Sequence, residues 1–139
     1  MISIIIPAYN EEKRLPKTLA SIISFLNKEK IEAEILIVND GSQDQTKKVA
    51  QEIAKDNSFL KVISYEKNKG KGGTVKEGII QAKGDYLIFL DADNSTPIFE
   101  IIPLLTNLSK GYDLVIGSRR IKGAKILKKQ PFLRQILSQ

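Results

Sequence analysis

The sequence predicts an α/β fold: a mainly parallel sheet with helices on both faces. Three observations predict it. Short, largely β-branched apolar runs alternate with stretches whose apolar residues recur at helical spacing. The fourth such run, Tyr86–Leu90, is apolar without interruption, as in a strand covered on both faces. No internal repeat or low-complexity segment breaks the alternation, and 139 residues amount to one domain.

The elements follow in order. Ile2–Ile6 is a β-branched run closed by Pro7 and Asn10, hence a buried strand. Leu15, Leu19, Ile22, Ile23 and Leu26 fall on one face of a helix. Glu34–Asn39 is a second strand. Ser42 with Gln45 three positions on has the form of a capping box, opening a helix with Val49 and Ile53 inward. Phe59–Tyr65 is a third strand, and the glycine-rich stretch Gly70–Gly73 precedes a helix with Val75, Ile79 and Ala82 on one side. After the fourth strand, Thr96 and Pro97 suit a cap and first helical position. The stripe Ile98, Ile101, Ile102, Leu105, Leu108 follows them. Leu114–Ile116 is a short fifth strand, and Pro131 opens an amphipathic helix with Leu133, Ile136 and Leu137 inward.

Composition narrows the chemistry. There is no cysteine and no histidine. That excludes a disulfide framework, thiolate or imidazole metal sites, Ser-His-Asp hydrolysis and histidine acid–base catalysis. Carboxylates, lysines, arginines, hydroxyls and backbone groups remain. The net charge of +6 is lopsided: from Lys110 onward eight basic residues face the single Asp113. This points to an anionic partner at that end. Helix-turn-helix and RNA-binding signatures are missing, so the expected partner is a phosphate-bearing small molecule or an anionic membrane surface, with no nucleic acid. No apolar stretch approaches the ~20 residues that a membrane-spanning helix needs, and no signal-peptide pattern opens the chain. A cytoplasmic protein is expected.

In parallel sheets of this kind ligands bind beyond the carboxyl ends of the strands, where the strand order reverses. Strand one ends in Pro7-Ala8-Tyr9-Asn10-Glu11-Glu12, strand two in Asn39-Asp40-Gly41-Ser42, and strand four in Asp91-Ala92-Asp93-Asn94. If the first strands are ordered 3-2-1-4, strands two and four flank strand one and all three loops converge. Clustered carboxylates repel unless a cation or polar ligand groups satisfy them. A divalent ion held by one or two carboxylates and a diphosphate is one solution. Each motif also has a plainer reading: Asp91-Ala92-Asp93 as a polar loop, Asp40-Gly41-Ser42 as turn chemistry, Glu11 as first-turn helix charge. Asn68-Lys69-Gly70-Lys71-Gly72-Gly73 can receive an anion at a helix start, although it is neither a Walker A loop nor G-x-G-x-x-G. Gly117-Ser118-Arg119-Arg120 brings arginine forks suited to phosphate.

Taken together, these blocks resemble the inverting nucleotide-sugar glycosyltransferases of family 2. They are Ile5 through Glu12, Val38-Asn39-Asp40-Gly41-Ser42 with Asp44 and Thr46, Asn68 through Gly72, and Phe89-Leu90-Asp91-Ala92-Asp93. Within the family, Asn94-Ser95-Thr96-Pro97 and Gly117-Ser118-Arg119 are most similar to the dolichyl- or polyprenyl-phosphate sugar synthases. The resemblance implies a Rossmann-like GT-A three-layer sandwich over residues 1–120, with a basic amphipathic segment at 121–139. It implies that Pro7, Ala8, Tyr9, Glu11, Asp40, Lys71, Gly72, Asp91 and Ala92 contact the nucleotide sugar. Asp91 and Asp93 would hold Mg²⁺ or Mn²⁺, Asp93 and Arg119 would be catalytic, and Arg119 and Arg134 would face acceptor phosphate.

The implied reaction moves a hexose from a UDP- or GDP-sugar to a lipid phosphate. Its setting would be peripheral, on the cytoplasmic face of the membrane. Two alternatives stand beside it: a non-catalytic nucleotide-sugar-binding domain, and transfer to a saccharide hydroxyl. A nucleotidyltransferase is disfavoured because Pro7-Ala8-Tyr9 stands where its glycine- and lysine-bearing loop belongs. The family's catalytic domains are commonly longer than this chain.

Overall fold

The structure, a computed structural model, describes residues 1–118. Arg119, Arg134, the segment 121–139 and the helix predicted after Pro131 lie outside the described residues. The elements are β1 (Ile2–Ala8), α1 (Leu15–Glu29), β2 (Ala33–Asp40), α2 (Thr46–Lys55), β3 (Leu60–Tyr65), α3 (Gly70–Gln81) and β4 (Tyr86–Phe89). A 3₁₀ turn (Ile98–Glu100) then leads into α4 (Ile101–Leu108). The strands form one sheet in the order β3-β2-β1-β4, and every neighbouring pair is parallel. The predicted fold class and strand order are as observed.

Register sets the layers. Ile4 lies opposite Ile35 on one side and Ile88 on the other. Because strand side chains alternate faces, Ile2, Ile4, Ile6 and Ala8 point together into the larger core with Leu15, Leu19, Ile22 and Ile101. Ile5, Leu36 and Val38 form a smaller core on the opposite face, beneath α3. β1 is buried along nearly its whole length because it is the central strand with helices above and below. Full burial of each such isoleucine contributes about 2 kcal/mol.

Several expectations change once the elements pack. Helix α3 does not turn Val75 and Ile79 into the core. Its buried residues are Thr74 and Gly78, because a Cβ at Gly78 would strike Ile5 and Val38. The helix rides so close to the sheet that only small residues fit underneath, and Ile79 stays 46% exposed. β4 is not covered on both faces: Leu87 and Phe89 are exposed while Ile88 is buried. Leu114–Ile116 forms no strand among the described residues, and Leu114 and Ile116 are exposed. Three residues supply few ladder bonds, and Gly111, at φ 94°, turns the chain just before them. The Ser42–Gln45 capping box is also absent. Helix α2 starts at Thr46, and Asp44 caps it by accepting the Thr46 N–H at 2.9 Å. Thr96 makes no side-chain cap; Pro97 stands at that position.

One buried ionic network braces the amino-terminal side of the sheet. Glu34, only 5% exposed, accepts from Ser3 Oγ at 2.7 Å, from the Lys83 N–H at 2.6 Å and from Lys61 Nζ at 3.0 Å. Burial alone would raise its pKa. The hydrogen bond from Ser3, then those from Lys83 and Lys61, overcome this and hold it below the ordinary glutamate value of 4.5. A carboxylate with a lowered folded-state pKa contributes stability above its unfolded pKa and loses it as pH falls through the folded value. The stability of the wild type should therefore decline below about pH 4.5. In Glu34→Gln that decline should shrink, at a cost near neutrality of about 1–3 kcal/mol. Denaturant melts from pH 3 to 7 check this, and equal pH slopes in the two proteins would refute it.

Candidate nucleotide-sugar site

The loops after β1 and β2 are laced together by side chains. Ser42 Oγ accepts the Asn10 N–H at 3.0 Å and Thr46 Oγ1 the Glu11 N–H at 2.7 Å, while Asp44 accepts the Glu12 N–H at 3.2 Å. In return Asn10 Oδ1 accepts the Gln43 N–H and Glu12 Oε2 the Gln45 N–H, each at 2.9 Å. Asn10 adopts φ 55°, a left-handed conformation that asparagine tolerates. Burial would raise the pKa of Asp44, but the hydrogen bonds from Thr46 and Glu12 lower it, so it stays an acceptor. The Asn-Glu-Glu and Asp-x-Thr portions of the two sequence blocks are thus one interlocked unit.

The loop after β3 joins through Asp40. This residue is 3% exposed, and its Oδ1 accepts the Lys69 N–H at 2.7 Å. Asn68 Nδ2 donates to the Asp40 carbonyl at 3.1 Å, and Asn68 Oδ1 accepts the Gly70 N–H at 3.0 Å. Asn68 therefore fastens the start of α3 to the end of β2. The Tyr65 hydroxyl donates to Thr74 Oγ1 at 2.9 Å. Burial raises the Tyr65 pKa, and the charge of Asp40 adds to the rise. Lys69 Nζ lies 4.2 Å from the Tyr65 ring centroid and pairs with Glu77 at 3.3 Å.

The Asp91-Ala92-Asp93 segment after β4 splays its two acids. Ala92 is buried, and its carbonyl accepts Thr18 Oγ1 of α1 at 2.8 Å, which pins the loop centre to α1. Asp91 is drawn toward α3, where Lys71 Nζ approaches its Oδ1 to 2.5 Å. Asp93 is drawn toward α1: Arg14 Nη1 stands 3.9 Å from its Oδ2, and the Ser95 N–H donates to its Oδ1 at 2.9 Å. Burial works to raise the Asp93 pKa, but Ser95 and then Arg14 lower it. Arg14 is shared, since its guanidinium also forks onto Glu11, with Nε 2.6 Å from Oε2.

The predicted residues thus divide by position. Glu11, Asp40, Lys71, Gly72, Asp91 and Asp93 lie along the carboxyl edge of the sheet, with Tyr9 exposed beside them. A Cβ at Gly72 would touch nothing within 4 Å, so the first turn of α3 is open there. Pro7 is the penultimate residue of β1 and half-buried. Ala8 and Ala92 are buried in the larger core. Sequence reasoning missed Arg14, which joins two of the acidic positions. The available signal was its spacing, three residues after Glu11 at a helix start.

The acids do not crowd together. Among the described residues no three acidic side chains gather closely enough to hold a metal by themselves. Arg14 stands between Glu11 and Asp93, and Lys71 pairs with Asp91. The chemistry still fits a magnesium- or manganese-type ion that takes one or two carboxylates and completes its shell with phosphate oxygens and water. A hollow of about 360 Å³ lies at this edge, lined by Asn10, Glu11, Glu12, Lys13, Arg14 and Asp44. A larger one of about 450 Å³ sits at the amino end of the strands against Ile2, Ile31 and Tyr86. It carries none of the motif residues. No helix among the described residues is long and apolar enough to cross a membrane.

The family described as Glycosyl transferase family 2 matches residues 3–137. A dolichyl-phosphate beta-glucosyltransferase of Dictyostelium discoideum is 37% identical over 148 residues, covering 98% of this chain and 45% of the relative. A dolichol-phosphate mannosyltransferase of Pyrococcus furiosus is 37% identical over 139 residues, covering 99% and 38% respectively. Among solved structures, residues 1–349 of S. aureus TarS in complex with UDP-GlcNAc align with a TM-score of 0.65 and 29% identity. That alignment covers 78% of this chain and 31% of the other. The chain spans less than half the length of these relatives.

Proposed function

This chain belongs to glycosyl transferase family 2, and from that premise we propose that it transfers a hexose from a UDP- or GDP-sugar to a polyprenyl or dolichyl phosphate, inverting the anomeric carbon. The observation that carries the proposal is the convergence of Asp40, Asp91 and Asp93 with Lys71 and Arg14 on one sheet edge. Tyr9, Glu11 and Asp40 offer an exposed ring and carboxylate acceptors to the base and ribose. Lys71 and Arg14 offer positive charge to the diphosphate. Asp91 and Asp93 would hold Mg²⁺ or Mn²⁺, which when bound neutralises charge developing on the leaving diphosphate.

The chain's residue menu fits this chemistry. A phosphate monoester is already anionic at neutral pH, so its oxygen attacks the anomeric carbon without a general base. The bond to the nucleoside diphosphate breaks as the bond to the acceptor oxygen forms, and a single displacement inverts the centre. Lysine and arginine then stabilise the departing charge electrostatically, and no histidine is required. The basic residues from Lys110 onward supply charge for an anionic membrane surface on the cytoplasmic side, each contributing about 1 kcal/mol when close to it. Arg119 and Arg134 are the residues we assign to the acceptor phosphate.

Calorimetric titration of UDP and GDP, with and without Mn²⁺, tests the donor half of this reading. One nucleotide should bind in a metal-dependent manner, and Asp93→Ala should weaken that binding at least about tenfold. Failure of both nucleotides to bind a folded protein would overturn it. A second reading, a nucleotide-sugar-binding unit without transferase activity of its own, fits the same edge, where Lys71 and Arg14 already neutralise Asp91 and Asp93. It predicts donor binding with no sugar appearing on an added polyprenyl phosphate.

A further inference from the structure

We propose that Arg14 and Lys71 are exchangeable counter-ions. They hold Asp93 and Asp91 in the free protein, then pass to the donor diphosphate and release both carboxylates to a divalent cation. This rests on the nucleotide-sugar reading above and adds an order of events to it. Asp91 and Asp93 are both more than a third exposed yet each faces a protein cation, Lys71 at 2.5 Å and Arg14 at 3.9 Å. Both cationic side chains are 58% exposed and are therefore free to swing.

Their other contacts suit a handover. Arg14 is forked onto Glu11, whose side chain is only 13% exposed, so one end of the arrangement is fixed and the Asp93 contact is the looser one. Arg14 can leave Asp93 without leaving Glu11. Lys71 sits in the first turn of α3 with its ammonium 5.4 Å from the exposed Phe89 ring, a second, weaker resting place.

Charge dictates the rest. A divalent ion entering alone meets two carboxylates that are already neutralised. A diphosphate entering alone meets two negative side chains that screen the cations from it. When both enter, all charges re-pair: the metal with Asp91, Asp93 and phosphate oxygens, and Arg14 and Lys71 with the diphosphate. Each ligand then raises the affinity for the other, and by linkage the effect is reciprocal.

The test measures Mn²⁺ binding alone, and UDP or GDP binding at saturating Mn²⁺, in three proteins: wild type, the Arg14→Met/Lys71→Met double variant, and Arg14→Lys. Both positions are exposed, so folding is not at issue. In the double variant Mn²⁺ alone should bind about tenfold more tightly and the nucleotide about tenfold more weakly. Arg14→Lys keeps the charge and should stay near wild type in both. Opposite signs are the signature, since a purely structural role would weaken both affinities or leave both unchanged. Either of those results overturns the proposal. Failure of both nucleotides to bind the wild type overturns the donor-site reading and this inference with it. Normal nucleotide binding with equal Mn²⁺ affinities in all three proteins overturns the counter-ion exchange alone.

Discussion

Replacing Gly41 by alanine is expected to lower stability by about 3 kcal/mol and to abolish nucleotide binding in whatever fraction stays folded. Gly41 follows Asp40 at the end of β2 and adopts φ 67°, a conformation that costs an L-residue about 1 kcal/mol or more. Space is the second obstacle. A Cβ there would stand 2.5 Å from the Glu66 carbonyl oxygen and 3.1 Å from the Asn68 nitrogen. Both are backbone atoms of the loop after β3, and they cannot swing aside as a lysine tip would. Pushing that loop away breaks the bonds from Lys69 N–H and Asn68 Nδ2 to Asp40. The carboxylate that we assign to the donor is then no longer positioned, so stability and binding should fall together. Thermal melts should show Tm lower by about 10 °C, and UDP and GDP titrations should show no heat. An alanine variant that melts like wild type would refute the account.

Gly84→Ala is expected to cost a similar amount, about 3 kcal/mol, with a different signature. Gly84 precedes β4, where a Cβ would meet the Ser3 nitrogen at 2.5 Å and the Ile2 carbonyl carbon at 2.7 Å. These atoms belong to β1, the central strand, which is clamped between β2 and β4. The Gly84 N–H also donates to Ser3 Oγ at 2.8 Å, so the strain reaches the buried Glu34 network. None of this touches the carboxyl edge of the sheet. The variant should melt earlier, while its folded fraction binds nucleotide with unchanged affinity. Loss of affinity in folded protein would mean that the two edges are coupled, contrary to the contacts described.

The two glycines illustrate where sequence reasoning reached and where it stopped. Gly41 was legible, since Asp-Gly-Ser is turn chemistry whatever else it does. Gly84 was not, because nothing in Lys83-Gly84-Asp85 reports that a backbone strand passes within touching distance. Gly78 inverted a prediction for the same reason. Helical periodicity nominated Val75 and Ile79 as the inward face, but the approach of α3 to Ile5 and Val38 admits no side chain beneath it. Periodicity reads which residues would like to be buried. It carries no information on how near the partner surface lies.

The sequence alone determined the alternation of strands and helices, the mainly parallel sheet, and the edge to which its acidic residues are delivered. These follow from local pattern and chain connectivity: a central β-branched strand must be buried, and parallel strands must be joined by crossovers that bring every carboxyl end to one side. The tertiary structure decided how those acids are used. It turned Asp91 toward Lys71 and Asp93 toward Arg14, buried Ala92 between them against Thr18, and seated Asp40 on the Lys69 amide. Asp91 and Lys71 are 20 residues apart in the chain, and Asp40 and Lys69 are 29 apart. Such pairings depend on loop paths and interatomic distances, and electrostatic energy varies with distance on a scale of ångströms that no spacing in the sequence encodes.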